Sequence, residues 1–178
     1  MNRAVFLDRD GVIIRTDVQG GKPYAITSLD ALEILDGAED AIRRLKQAGL
    51  ATIVVSNQPD VAAGKVTYDV VEAINAELME KLDIDEIKTC FDTAAPCYKP
   101  RPGMLLEAAG KHAIDLSGSY MVGDRWRDIG AGKAAGCFTV FIDCGYAEML
   151  IDAPDATVGS VAEAADLILS LESKRETL

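Results

Sequence analysis

The fold is decided by a short stretch near the start of the chain, residues 4–11, which reads Ala-Val-Phe-Leu-Asp-Arg-Asp-Gly. Four consecutive apolar residues predict a buried strand, and the two acids with a glycine predict a turn at its carboxyl end. Working outward from this stretch, we predict further strands at residues 51–55, 86–91, 120–122 and 137–142.

Amphipathic stretches separate these strands. One helix is predicted after Asp36 with a stop at Gly49, and a longer one begins at a cap on Thr67. Further helices are predicted near Gly103, at residues 129–135 and at residues 160–171. Strands that alternate with helices are typical of a parallel sheet. We therefore expect an α/β fold, a three-layer Rossmann-like parallel sheet.

Length and composition favour a single domain over residues 1–178. A chain of 178 residues with 49% hydrophobic and 26% charged residues is typical of one folded globular unit. No gap between the predicted elements is long enough for a large cap domain. Gly20, Gly21, Pro23 and Tyr24 instead predict a small flap beside the sheet.

The formal charge of −11 argues against binding to nucleic acid or anionic lipid, because both are bound mainly through Lys and Arg clusters. A small, diffusing substrate fits this charge better. The first residues reach Asp8 without the apolar stretch of a secretory signal, and no later run could span a bilayer. We expect a cytoplasmic protein, as a monomer or small homo-oligomer.

Polar residues follow each of the first four predicted strands. They are Asp8 and Asp10, then Ser56 and Asn57, then Lys99, and finally Asp124. Since ligands of open parallel sheets bind at the carboxyl edge of the strands, we expect these side chains to meet in one place. Each residue alone is a weak signal, because acids after a strand usually form a solvated turn. Their joint order carries the prediction.

The chemistry available to this set is phosphoryl transfer. One carboxylate of the pair can attack phosphorus while the other transfers protons. Asp124 adds a third oxygen donor of the kind that Mg²⁺ prefers. The Ser56 hydroxyl, the Asn57 backbone N–H and the Lys99 ammonium can hold phosphate oxygens. No organic cofactor is needed.

Four segments together resemble the haloacid dehalogenase superfamily of phosphatases. They are Phe-Leu-Asp-Arg-Asp-Gly-Val-Ile at residues 6–13, Val-Val-Ser-Asn-Gln at 54–58, Lys-Pro-Arg-Pro-Gly-Met at 99–104 and Met-Val-Gly-Asp-Arg at 121–125. The resemblance implies that Asp8 becomes a phospho-aspartate and that Asp10 protonates the leaving oxygen and then activates water. It implies a Mg²⁺ site formed by Asp8, the Asp10 backbone carbonyl and Asp124. It also implies a phosphoryl group held by Ser56, Asn57 and Lys99.

Within the superfamily the chain is most similar to the capless branch, which contains heptose-bisphosphate and histidinol-phosphate phosphatases. The implied substrate is a small sugar phosphate, with a heptose 1,7-bisphosphate ahead of histidinol phosphate. Arg101 and Arg125, with Lys65, could contact a second anionic group. The chain departs from this branch at Tyr98 and Ala63, where such relatives often carry basic residues.

The cysteines mark a further departure. Many of these relatives carry a zinc loop before the lysine, whereas this chain has only Cys90, Asp92 and Cys97 over a shortened loop. Structural zinc usually takes four N or S ligands, so we expect no zinc. We interpret all four cysteines as reduced thiols, because a chain of this size folds without disulfides. These are Cys90, Cys97, Cys137 and Cys144.

Other functions stay open at this point. A phospho-accepting receiver domain uses similar residues but places its accepting aspartate after the third strand, whereas here the acids follow the first. A polynucleotide 3′-phosphatase resembles the chain around Asn57 and Lys99, but the negative charge argues against it. A binding protein without activity is the remaining alternative. Asp128, one helical turn beyond Asp124, could support the metal or face solvent.

Overall fold

Six parallel strands form the main sheet in a computed structural model of the chain, which describes residues 2–175. The strands in chain order are β1 (Arg3–Leu7), β2 (Asp17–Gln19), β3 (Lys22–Tyr24), β4 (Leu50–Asn57), β5 (Glu86–Cys90), β6 (Tyr120–Gly123), β7 (Phe138–Ile142) and β8 (Ala156–Val158). Their order in the sheet is β5-β4-β1-β6-β7-β8, while β2 and β3 pair separately as an antiparallel hairpin. The strand β1 therefore lies near the middle.

Helices cover both faces of this sheet. They are α1 (Ala38–Gln47), α2 (Tyr68–Lys81), α3 (Gly103–His112), α4 (Trp126–Ala135) and α5 (Val161–Arg175). Successive side chains of a strand point to opposite faces, so Val5 and Leu7 of β1 join one apolar cluster with α1, α2 and α5. Ala4 and Phe6 join the other cluster, with α3 and α4. The three-layer α/β prediction is confirmed.

The predicted helix limits agree with the local chemistry. Gly49, which follows α1, has a φ of 80°, a conformation that favours glycine and ends the helix. The Thr67 side chain accepts a hydrogen bond from the Val70 backbone N–H and caps α2, as predicted. Two short features escaped prediction, the hairpin pairing and β8, because three-residue strands carry too little pattern.

The hairpin β2–β3 is the flap that the glycines predicted. Gly20 and Gly21 turn the chain with φ values of 58° and 76°. Between β1 and α1 the chain adds only this hairpin and one turn of 3₁₀ helix at Leu29–Ala31, so residues 2–175 contain no large cap. In that same range, no helix is long and apolar enough to cross a membrane.

The prediction of four reduced cysteines was wrong for two of them. Cys90 and Cys97 form a disulfide, with their Cα atoms 5.7 Å apart. The short loop after β5 turns back on itself at Ala95, whose backbone N–H bonds to the Asp92 carbonyl, and this brings the two cysteines together. Cys137 and Cys144 are free.

Candidate active site

The carboxyl ends of β1, β4 and β6 open into a cavity of about 260 Å³. Asp8, Asp10, Asn57, Lys99, Arg125 and Asp128 line it. The hairpin contributes Lys22, Pro23 and Tyr24 to one wall, and Tyr98 lies in another. Loops that are distant in the chain therefore converge at one edge of the sheet, as the strand order requires.

Lys99 lies at the centre of the buried charges. Its ammonium donates to Asp8 Oδ1 at 2.7 Å, to Asp128 Oδ1 at 2.6 Å and to the Val55 carbonyl at 2.7 Å. Burial alone would lower the pKa of Lys99, but the Asp128 and Asp8 carboxylates raise it above its ordinary value. The lysine thus stays charged, and Asp128 is buried beside it rather than facing solvent.

Three buried carboxylates lie close together here, and the Lys99 ammonium contacts only two of them, Asp8 and Asp128. One oxygen each from Asp8, Asp124 and Asp128 lies within 4.8 Å of the others. Burial and the neighbouring carboxylates Asp8 and Asp128 hold the pKa of Asp124 well above its usual range. Burial and Asp128 likewise raise the pKa of Asp8, with Lys99 opposing the shift. The cluster is short of positive charge.

This cluster could bind a metal ion. Both carboxylate oxygens of Asp124 are buried, and no group in residues 2–175 meets the geometry of a hydrogen bond to them, although the nearby Tyr146 hydroxyl opposes the rise in the pKa of Asp124. Hard cations such as Mg²⁺ are bound by carboxylate oxygens, so unpaired oxygens between two other carboxylates fit such an ion. Gly11 makes room for them, since a Cβ there would lie 1.9 Å from Asp124 Oδ2. The carboxylate of Asp10 is not part of the cluster.

The Asp10 carboxylate lines the cavity, and side chains behind it hold it through hydrogen bonds. Its Oδ2 accepts hydrogen bonds from Gln58 Nε2 at 2.8 Å and from Arg9 Nε at 3.1 Å. The same Gln58 nitrogen lies 2.8 Å from the Ser56 hydroxyl oxygen. Sequence reasoning missed both Arg9 and Gln58, although each stands inside a segment that carried the resemblance.

Ser56 and Asn57 are the last two residues of β4, at its carboxyl end as expected, but their side chains are already engaged. Ser56 is fully buried behind the cavity wall. The Asn57 side chain donates to the Lys99 carbonyl and accepts from the Lys99 backbone N–H, both at 3.0 Å. These paired bonds fix the backbone of Lys99, a positioning task that the sequence did not reveal.

The structure does not bring all of the predicted cations to the cavity. The Arg101 guanidinium donates to the Ala95 and Thr93 carbonyls and lies outside the cavity lining. Lys65 pairs with Asp60 at 3.2 Å. The backbone carbonyls of the turned loop accept from Arg101, so a contact between Arg101 and substrate stays a prediction for which this geometry offers no support.

Three other cations line the cavity. Arg125 does so as predicted, but Glu148 holds it through two hydrogen bonds of 3.1 and 2.6 Å. Lys22 and Arg127 also line the cavity, and neither forms a salt bridge within residues 2–175. Arg127 lies over the Trp126 ring, 4.8 Å from its centroid. Neither of these two cations forms an ion pair among the described residues that an anionic ligand would have to break, although the charge of Arg127 also helps to lower the pKa of Glu148.

The fold and this constellation define a class of hydrolases. A family model described as haloacid dehalogenase-like hydrolase matches residues 15–136. The chain belongs to the haloacid dehalogenase-like hydrolase family, and the prediction of a phosphatase of this superfamily is confirmed.

Individual relatives point within that family. The D-glycero-β-D-manno-heptose-1,7-bisphosphate 7-phosphatase of Salmonella typhi is 40% identical over 148 residues, 74% of this chain and 75% of the relative. A D-glycero-D-manno-heptose-1,7-bisphosphate 7-phosphatase of Thermosynechococcus vestitus is 33% identical over 84% of this chain and 83% of its own. A solved D,D-heptose 1,7-bisphosphate phosphatase from B. bronchiseptica, complexed with magnesium and phosphate, superposes with a TM-score of 0.77 at 27% identity, covering 95% of this chain and 99% of that one.

Proposed function

We propose that this protein removes the 7-phosphate of D-glycero-D-manno-heptose 1,7-bisphosphate through a phospho-aspartate on Asp8. The observation that carries the proposal is the position of Asp8 at the cavity, within 2.7 Å of the Lys99 ammonium and beside the unpaired Asp124 carboxylate. The names of the relatives supply the sugar. We keep one domain over residues 1–178, a cytoplasmic location and a monomer or small homo-oligomer as predictions.

The proposed metal is Mg²⁺. Asp8, Asp124 and the Asp10 backbone carbonyl would hold it. When bound, Mg²⁺ supplies positive charge that offsets the buried carboxylates and the phosphate of the substrate. No zinc is expected, because Cys90 and Cys97 are paired with each other.

The residues of the chain then perform two half-reactions. In the first, a carboxylate oxygen of Asp8 forms a bond to phosphorus, the bond from phosphorus to the sugar oxygen breaks, and Asp10 gives that oxygen a proton. In the second, Asp10 takes a proton from water as the water oxygen attacks phosphorus and releases Asp8. Lys99, with the Ser56 hydroxyl and the Asn57 backbone N–H, holds the phosphoryl oxygens.

The second phosphate of a bisphosphate has cations available to it. Lys22 on the hairpin and Arg127 on α4 line the same cavity without a salt bridge of their own in residues 2–175. Arg125 contributes only after it leaves Glu148. A substrate with two anionic groups is therefore favoured over one with a single phosphate.

Phosphate release from a panel of substrates tests the proposal. The panel contains heptose 1,7-bisphosphate, sugar monophosphates, histidinol phosphate and a 3′-phosphorylated oligonucleotide, each with Mg²⁺ or EDTA. We expect Mg²⁺-dependent release, fastest from the heptose bisphosphate, and a loss of about 10⁴-fold or more in Asp8→Asn. Thr52→Val is the matched control, because Thr52 is buried at the opposite end of β4.

Either of two results would overturn parts of this assignment. Release that survives Asp8→Asn would remove Asp8 as the nucleophile. A preference for histidinol phosphate or for the oligonucleotide would replace the heptose bisphosphate as substrate.

A further inference from the structure

The residue between the two catalytic aspartates is a fully buried arginine. Arg9 has 0% of its surface exposed and is the largest of the fully buried side chains. A guanidinium in such a place is destabilising unless it is paired and hydrogen-bonded. Within residues 2–175 its only salt-bridge partner is Asp10. The buried charge of Arg9 is thus paired with one particular carboxylate, that of Asp10.

The contact has the geometry of a fork. Arg9 Nε donates to Asp10 Oδ2 at 3.1 Å, and Arg9 Nη2 donates to Asp10 Oδ1 at 3.3 Å. Two parallel donors fix the plane of a carboxylate, which a single point charge does not. Asp10 itself keeps 14% of its side chain exposed and lines the cavity. The plane of the carboxylate that faces the substrate is therefore set from behind by Arg9.

The remaining nitrogen of Arg9 connects this fork to the scaffold. Nη1 donates to Asn75 Oδ1 at 3.0 Å, and Asn75 Nδ2 lies 3.1 Å from the Thr89 hydroxyl oxygen. Asn75 belongs to α2, whose Ile74 and Leu78 are part of the apolar core. Thr89 belongs to β5. A chain of hydrogen bonds thus leads from Asp10 to two rigid elements.

We propose that Arg9 is a positioning residue for both proton transfers of Asp10, and that Asn75 and Thr89 position Arg9. This inference rests on the proposed function, in which Asp10 protonates the leaving oxygen and later takes a proton from water. Asp10 can serve both half-reactions only if its carboxylate stays in one orientation while the substrate changes.

The nature of the leaving group separates positioning from general structural damage. A sugar alkoxide needs a proton as it departs, whereas p-nitrophenolate departs as a stable anion. The parameter kcat/KM reports the steps up to formation of the phospho-aspartate. A misplaced Asp10 therefore lowers kcat/KM for the sugar phosphate and spares p-nitrophenyl phosphate, while a damaged fold lowers both.

The variants form a graded series. Arg9→Lys keeps the charge but removes the fork, and we expect kcat/KM to fall about 100-fold for the heptose bisphosphate and less than about 3-fold for p-nitrophenyl phosphate. Asn75→Leu, which removes the acceptor of Nη1, lowers the sugar value about 10-fold. Thr89→Val lowers it about 3-fold, and Thr89→Ser, which keeps the hydroxyl, restores it.

A second signature concerns the water step. With p-nitrophenyl phosphate, Arg9→Lys forms the phospho-aspartate at a normal rate but hydrolyses it slowly, because water loses its oriented base. Rapid mixing should then show a burst of about one p-nitrophenolate per enzyme molecule, followed by a slow steady state.

The control and the contrary outcomes are distinct. Thr52→Val removes a buried hydroxyl far from Asp10 and should leave the ratio of the two kcat/KM values unchanged. Equal losses with both substrates would overturn the role of Arg9, and an unchanged kcat/KM for the sugar phosphate in Asn75→Leu would overturn the role of Asn75. If Arg9→Lys does not fold, the Asn75 and Thr89 variants decide the matter. A wild type that hydrolyses neither substrate would overturn the proposed function itself.

Discussion

Both ends of the central strands carry buried polar side chains, but the two ends satisfy them differently. At the amino end, the Thr52 hydroxyl donates to the Asp83 carbonyl at 2.8 Å, and the Tyr120 hydroxyl donates to Glu172 at 2.6 Å. At the carboxyl end, neither oxygen of Asp124 has a hydrogen bond of ordinary geometry or a cationic partner in the described chain, and only the Tyr146 hydroxyl lies near it. Glu172 Oε2 has no hydrogen bond either, but the Arg3 guanidinium pairs with it. We therefore call the amino end saturated and the carboxyl end unsaturated.

The difference shows which polar groups serve the fold and which serve a ligand. Buried polar groups with partners stabilise the native state, whereas unpaired carboxylates that repel one another destabilise it. The carboxyl end lacks partners for its buried carboxylates, and a bound cation, together with a phosphate, can supply them. The following substitutions test this contrast in order of expected effect on stability.

The largest effect is expected at the saturated end. Glu172→Ala leaves the buried Tyr120 hydroxyl without its acceptor and removes the ion-pair partner of Arg3 and Arg175. We expect the free energy of unfolding in urea to fall by about 3 kcal/mol, with kcat of the folded enzyme unchanged.

Asp166→Ala on the same helix is the control for this effect. Asp166 is exposed and pairs with Arg44 at the surface, so its loss should cost less than about 1 kcal/mol. If the free energy of unfolding falls equally in the two variants, the buried contacts of Glu172 contribute no more than an ordinary surface ion pair.

The opposite sign is expected at the unsaturated end. Asp124→Asn removes one of three crowded carboxylates, so without Mg²⁺ the variant should be more stable than wild type by about 1 kcal/mol. Mg²⁺ should raise the unfolding temperature of wild type and not of the variant. Asp152→Asn, which changes an exposed acid, should alter neither quantity.

The pH dependence of this effect follows from the raised pKa of Asp124. The native state binds the proton more tightly than the unfolded state, so in EDTA the stability of wild type falls as pH rises from about 3.9 through the raised pKa. Thermal unfolding over a pH series in EDTA should show a shallower fall in Asp124→Asn. Identical slopes would contradict the repulsion.

The smallest effect is expected for Asp85, at the saturated end. Burial alone would raise its pKa, but hydrogen bonds from Lys46 and from the Thr52 backbone N–H lower it below its ordinary value. Its contribution is therefore present above about pH 3.9 and is lost as pH falls through the lower folded pKa. Because about one third of the Asp85 side chain is exposed to solvent, Asp85→Asn should lower stability at pH 7 by only about 0.5 kcal/mol, and it should flatten the acid limb of the stability curve.

Asp83→Asn provides the comparison for Asp85. Asp83 also pairs with Lys46, at 3.0 Å, but its side chain is 58% exposed. The acid limb of this variant should match wild type. A change as large as that of Asp85→Asn would mean that the ion pair with Lys46 alone, rather than the bonds from Asp85 to Thr52, carries the effect.

The fold was predictable wherever a regular spacing of apolar residues is bounded by residues that begin or end a helix or strand. The four apolar residues before Asp8 gave β1, and Gly49 and Thr67 marked helix limits that the structure retains. The carboxyl-edge rule also brought Asp8, Lys99 and Asp124 together. These inferences need only the order of strands along the chain.

The missed features depend on contacts between distant residues. An arginine between two acids looks like a solvated residue, and Asn75, which accepts a hydrogen bond from the buried Arg9, is 66 positions away. The path of the loop after β5 decides where its side chains point. It directs the Arg101 side chain to backbone carbonyls of the same loop and brings Cys90 and Cys97 together as a disulfide. No periodicity encodes such a path.

The coordination of Lys99 has a consequence for product release. A lysine ammonium has three protons, and Asp8, Asp128 and the Val55 carbonyl already accept them. An anion that reaches this lysine must exchange for a partner rather than add to the set. Affinity for inorganic phosphate at Lys99 is then the difference between two ionic contacts, which is small compared with either. The resting partners of Lys99 therefore compete with any phosphate bound there.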